Sequence, residues 1–149
     1  MNVGSTVCHI CGIPVDAGYF DDASIKPAPE ADKEIILARY QLHRNYCGLL
    51  MSFAQFTDLY AADNSKVQTL GYQWQIRCNG QPAYPYTTLD YILNPWGYGG
   101  FPIQLRLAEG CLVELVIRNV AGTGVTTVGG RLTGRYWYNT IYGGTPNPL

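Results

Sequence analysis

Apolar and polar side chains alternate with a period of two over several stretches of the 149-residue chain, and that alternation predicts β-strands. The clearest run is 101–119, FPIQLRLAEGCLVELVIRN. Ile103, Leu105 and Leu107 share one side of it, and Gln104 and Arg106 the other. Ala108, Glu109 and Gly110 predict a tight turn, because a reversal with φ > 0 costs glycine little. Cys111, Val113, Leu115 and Ile117 then resume the apolar side, opposite Leu112, Glu114, Val116 and Arg118. The run is expected to be a hairpin in an antiparallel sheet with one wet face. Asn119 closes it before the glycine-rich stretch 121–130. Over 70–78, Tyr72, Trp74, Ile76 and Cys78 alternate with Gln73, Gln75 and Arg77. Asn79-Gly80 follows directly and predicts a type I′ turn. Pro82 and Pro85 make the return segment an edge strand or a loose crossover. In GRLTGRYWY, 130–138, Leu132, Gly134, Tyr136 and Tyr138 oppose Arg131, Thr133, Arg135 and Trp137. The expected core is Tyr72, Trp74, Ile76, Ile103, Leu105, Leu107, Val113, Leu115, Ile117 and Tyr136.

The rest of the chain is less periodic. Glu30, Asp32 and Glu34 suit the start of a helix, but EIILARYQLH and GLLMSFAQF are expected to be strands. In the second, Leu49, Met51 and Phe53 alternate, with a bulge or bend at 45–48. Residues 94–102 predict a loop from which Trp96, Tyr98 and Phe101 project. Residues 1–33 have no sustained period and contain Pro14, Pro27 and Pro29, so they predict an extended N-terminal arm outside the main sheet. Ile10, Ile13, Val15, Tyr19 and Phe20 make that arm too apolar for a free tail, so they are expected to be interface residues that pack on the domain or on a neighbour. The expected organisation is an arm at 1–33, one domain at 34–142 and a tail at 143–149. Short strands punctuated by turns, with no βαβ alternation, place the domain in the all-β class as a sandwich or barrel.

Composition narrows the functional classes. The formal net charge of −1 gives no electrostatic case for nucleic acid. No apolar run approaches the roughly 18 residues of a membrane span. The first twelve residues have neither a basic start nor a long apolar run, so the five cysteines are expected to be reduced thiols in a chain made in a cytoplasm.

Candidate chemistry is sparse. Cys8-x2-Cys11 and His43-x3-Cys47 have the residue types of a closed tetrahedral zinc site. Against this, residues four apart in a strand are about 13 Å apart, and the plain alternative is partly buried thiols and a surface histidine. Cys78 and Cys111 lie on apolar strand faces and are expected to be small core residues. No nucleophile elbow, P-loop or zinc-protease motif occurs, and no paired carboxylates are evident, so no catalytic residue is assigned. Trp74, Trp96, Trp137 and the tyrosines fit either a sugar-stacking module or a protein interface. The interface is preferred, with Trp74 in the core and Trp96 and Trp137 as anchors, joined by Tyr98 and Phe101.

Taken with its turns, the layout of about 34–140 resembles the jelly-roll proteins on the outside of tailed-bacteriophage virions. The resemblance rests on the arm leading into the first strand, on YQWQIRCNGQP, on PIQLRLAEGCLVELVIRN ending in asparagine, and on the closing GRLTGRYWY. It implies an antiparallel jelly-roll β-sandwich without an active site or cofactor. It further implies a capsid decoration (cement) protein, or a neck or tail component, located in the virion. Such proteins commonly act as homotrimers, with the major capsid protein or another virion protein as partner and neither nucleic acid nor membrane. The Cys8-x2-Cys11 pair is not a feature of that group and keeps zinc as an alternative.

Overall fold

The computed structural model describes residues 13–14, 16–58, 71–83, 101–121 and 124–139. These form eight strands: β1 Gly18–Pro27, β2 Glu34–Gln41, β3 Tyr46–Thr57, β4 Tyr72–Cys78, β5 Gln81–Pro82, β6 Phe101–Leu107, β7 Leu112–Asn119 and β8 Thr127–Tyr138. No helix occurs among the described residues. The strands make two antiparallel four-stranded sheets, ordered β1-β8-β3-β6 and β2-β7-β4-β5. The inner faces of both sheets supply one buried cluster that includes Phe20, Leu50, Phe53 and Leu132 from the first and Leu37, Trp74, Ile76, Val113, Leu115 and Ile117 from the second.

The period-two readings of β4, β6, β7 and β8 are borne out. Trp74, Ile76, Val113, Leu115, Ile117 and Leu132 are fully buried, while Leu105, Cys78 and Tyr136 are partly buried against them. Asn79 and Gly80 both have positive φ, 50° and 81°, and hand β4 to the two-residue edge strand β5. At the end of β7, the buried Asn119 donates from Nδ2 to the Pro29 carbonyl at 2.9 Å. That bond ties the strand to the β1–β2 connection, which gives the terminal asparagine a structural reason.

Four expectations are corrected. The run 101–119 is two strands joined by a tight turn, but not a hairpin. Among the described residues β6 pairs only with β3, and β7 lies between β2 and β4 in the other sheet. Alternation could not separate the two cases, because both put the apolar sides of the two strands against the same core. Second, the outer face of β7 is not wet at its centre, where Glu114 and Val116 are both buried. Third, β3 buries Leu50 and Phe53, and Met51 is exposed. The pairing register slips between Leu50 and Ser52, so one extra residue moves the apolar set to the other parity. The bend expected at 45–48 is a separate feature, a turn in which the Tyr46 amide donates to the His43 carbonyl and Asn45 has φ 70°.

The fourth correction is the arm. Residues 18–27 are an edge strand of the first sheet, paired with β8 along their whole length. Phe20 is buried over Gly134, and Ile13 is buried as well. The strand has no apolar alternation because Asp22, Ser24 and Lys26 follow Phe20 on its inner side. Those three side chains face the edge of β2. Asp22 accepts from the Arg39 amide at 2.7 Å, Lys26 donates to the Ile36 carbonyl at 2.6 Å, and the Ser24 hydroxyl donates to the Leu37 carbonyl. An edge strand needs its free backbone groups satisfied or shielded. Here side chains do that, beside the register slip of β2 between Ile36 and Ala38. The two edges are also stitched by rings, with Phe20 stacked on Tyr40 at 4.3 Å and Tyr40 6.0 Å from Tyr136.

Candidate functional site

Strand register lays out the outer face of the first sheet in rows. Trp137 lies beside Cys47; Tyr19, Arg135, Leu49 and Arg106 form the next row. Asp21, Thr133 and Ser52 form a third, and Ile25, Gly129 and Phe56 another further along. β1 brings the most exposed apolar groups to this face: Tyr19 is 74% exposed and Ile25 71%, while Met51 on β3 is 40% exposed. A shallow groove of about 410 Å³ is lined by Tyr19, Asp21, Met51, Ser52, Arg131 and Thr133.

The polar groups of the face hold one another in place. The Arg135 guanidinium stacks on the Tyr19 ring 4.3 Å from its centroid, and Nη2 donates to the Ala17 carbonyl at 2.8 Å. Such a stack is worth about 0.5–1 kcal/mol at an exposed site. Arg131 makes a two-pronged pair with Asp21, Nε to Oδ1 at 2.8 Å and Nη2 to Oδ2 at 2.6 Å. The Ser52 and Thr133 hydroxyls bond across β3 and β8. The result is a pre-ordered patch that holds Arg131 and Arg135 beside an exposed tyrosine and a half-buried tryptophan. Aromatic residues and arginine are the types enriched where proteins bind other surfaces.

The residues expected from sequence to form an interface separate accordingly. Tyr19 and Trp137 lie on this face. Phe20 and Ile13 are core, and Phe101 points inward against Phe53 at 5.6 Å instead of projecting from a loop. Ile10, Val15, Trp96 and Tyr98 lie outside the described residues, as do Cys8 and Cys11. Of the other two zinc candidates, His43 is exposed with its ring 6.3 Å from Tyr46, and burial pushes the Cys47 thiol up. Among the described residues no group of three or more His, Cys, Asp or Glu is placed to hold a metal ion. Arg131, Thr133 and Arg135 were legible as the polar side of GRLTGRYWY; Asp21 was not, because β1 was read as an arm.

Two ion pairs give the fold a pH dependence. Hydrogen bonding to Arg131 holds the Asp21 carboxyl below its ordinary value, and Arg77 does the same for Glu34 on the other sheet, at 2.9 Å. A depressed carboxyl pKa stabilises the fold above the unfolded value, about 4, and that stabilisation is lost as pH falls through the folded value. Both acids are about half exposed, so each pair contributes at most about 1 kcal/mol. Thermal melts between pH 7 and 3 should show Tm dropping below about pH 4. Glu34→Gln should flatten part of that drop, and a profile identical to wild type would deny the Arg77 pair any role.

No protein-family model matches the chain, and no curated protein was found to be similar to it.

Proposed function

We propose that the chain is a structural virion protein, a jelly roll attached to the outside of a tailed-phage capsid as a decoration protein. The observation that carries this reading is the strand order, β1-β8-β3-β6 against β2-β7-β4-β5. Eight strands wound as a jelly roll follow that order, with the chain changing sheets at every connection except β4–β5. The resemblance seen in the sequence supports the same reading, and a neck or tail position is its nearest variant. On this reading no residue is catalytic. The protein works as a homotrimer, its partner is the major capsid protein, and the outer face of the first sheet is the attachment surface.

Purified protein added to particles that lack it should co-sediment with them at a fixed copy number. Tyr19→Ala combined with Trp137→Ala should weaken that binding by about 30-fold or more, the effect of losing about 2 kcal/mol at a hot spot. A wild-type protein that stays in the supernatant with capsids, necks and tails alike would overturn the proposal. One observation favours a second reading, a carbohydrate-binding module. Tyr19 keeps three-quarters of its surface exposed even with Arg135 against it, which suits stacking on a sugar ring. A glycan array showing Tyr19-dependent binding would select that reading.

A further inference from the structure

The second sheet carries a pair of thiols that the proposed function does not use. Cys78 ends β4 and pairs with Val113 of β7. Cys111 lies two residues before Val113 on the same strand path, so the two cysteines are diagonal neighbours on one side of the sheet. The two thiols interact, and the contact together with burial pushes the Cys111 thiol up. Cys111 is fully buried in the core cluster, and Cys78 is half-buried against it. Beside them β4 and β7 stay tied together: the Asn79 amide donates to the Leu112 carbonyl at 2.8 Å, and the Leu112 amide donates to Asn79 Oδ1 at 2.9 Å. Both cysteines adjoin turns with positive φ, at Asn79, Gly80 and Gly110, where the chain has left the regular ladder. A diagonal pair must approach by an ångström or two to meet disulfide geometry, and turn backbone tolerates such a shift better than the middle of a sheet.

We infer that Cys78 and Cys111 form a redox-operated latch, a dithiol that a small disulfide oxidant converts to an intramolecular disulfide joining β4 to β7. Cys78, the more exposed of the two, reacts first. Its thiolate attacks one sulfur of the oxidant, the oxidant's S–S bond breaks, and one thiolate leaves and takes up a proton. Cys111 then loses its proton and attacks the Cys78 sulfur, expelling the second oxidant thiol. Two cysteine thiols are oxidised by two electrons, and one disulfide oxidant is reduced to two thiols. Cys78 is the more exposed of the two and Cys111 is buried, which suits that order of attack. Cys47 sits on the other sheet, buried beside Trp137, and has no part in the latch. The inference does not depend on the virion reading.

The test uses the full chain, purified reduced and then treated with oxidised glutathione. Trypsin places Cys78 in peptide 78–106, Cys111 in 107–118 and Cys47 in 45–66. Non-reducing peptide mapping should join 78–106 to 107–118 by a bond that dithiothreitol reverses, and oxidation should raise Tm by about 5 °C or more. Cys111→Ala should leave glutathione trapped on Cys78 as a mixed disulfide, because the resolving thiol is gone. If that buried substitution fails to fold, Cys78→Ala serves instead and should leave Cys111 unmodified. Free thiols at both positions after treatment, or linkage confined to Cys8 and Cys11, would overturn the latch. So would a Cys78–Cys111 bond that lowers Tm, since the native geometry would then reject it.

Discussion

A chain lacking residues 1–27 is expected to lose its cooperative folding transition. The deletion removes β1, an edge strand paired with β8 along its whole length. It removes Phe20, whose truncation alone should cost about 3–5 kcal/mol for a buried ring. It also strips three side chains from the β2 edge, where Asp22, Ser24 and Lys26 bond to the Arg39 amide and the Leu37 and Ile36 carbonyls. Each such bond contributes about 1 kcal/mol, and more where a charge takes part. The sum is comparable with the whole net stability of a domain, about 5–15 kcal/mol. Losing β1 further bares the backbone edge of β8 in a sheet whose next strand is the apolar β3, which invites aggregation. Circular dichroism melts of the truncated and full chains decide the matter. A truncated chain that melts cooperatively at the full-length temperature would mean that β1 is laid onto a finished structure. Phe20→Ala on the full chain gives the intermediate point and should lower Tm without abolishing the transition.

How far the fold was legible followed from where water lies. In β4, β6 and β8 one side faces the core and the other is largely polar, so alternation located both the strand and its buried face. In β7 the outward Glu114 and Val116 are buried too, and only the inward side was predicted in full. β1 failed because its inner side changes from apolar Phe20 to polar Asp22, Ser24 and Lys26, which serve the backbone of β2 and not the core. A single extra residue at Met51 defeated a reading of β3 that assumed unbroken parity. Pairing between strands was the least legible level. The Glu109–Gly110 turn has the composition of a hairpin, yet Gly110 donates its amide to the Tyr46 carbonyl at 3.0 Å and the chain passes to the other sheet. The site was legible in part. Trp137, Arg135 and Arg131 came from one side of β8 and Tyr19 from the apolar character of the first 33 residues, whereas Asp21 required β1 to be seen as a strand.

The contact between the two sheets yields the second large effect. Leu115 on β7 has no exposed surface, and Leu115→Ala should cost about 2–5 kcal/mol. Gly130 lies opposite, on β8 of the other sheet. A Cβ added there would stand 2.7 Å from Leu115 Cδ2 and 2.9 Å from Leu37 Cβ, closer than such atoms pack. Gly130→Ala alone should therefore destabilise by overpacking, by about 1–3 kcal/mol. The two substitutions fail for opposite reasons, one by opening space and the other by demanding it. Combined, the new methyl enters the volume that Leu115 vacates, and the double variant should be more stable than the sum of the singles predicts. A favourable coupling of about 1 kcal/mol is expected, within the range for residues in contact. It should not restore the wild type, because the Leu37 contact at 2.9 Å remains. Leu107→Ala on β6 supplies the control. Leu107 is also buried but is not among the atoms nearest a Gly130 Cβ, so that pair should be additive within about 0.5 kcal/mol. Urea denaturation of the wild type, the three singles and the two doubles measures both cycles. Strict additivity for Leu115 and Gly130 would mean that the sheets do not meet there, and the shared core would have to be redrawn.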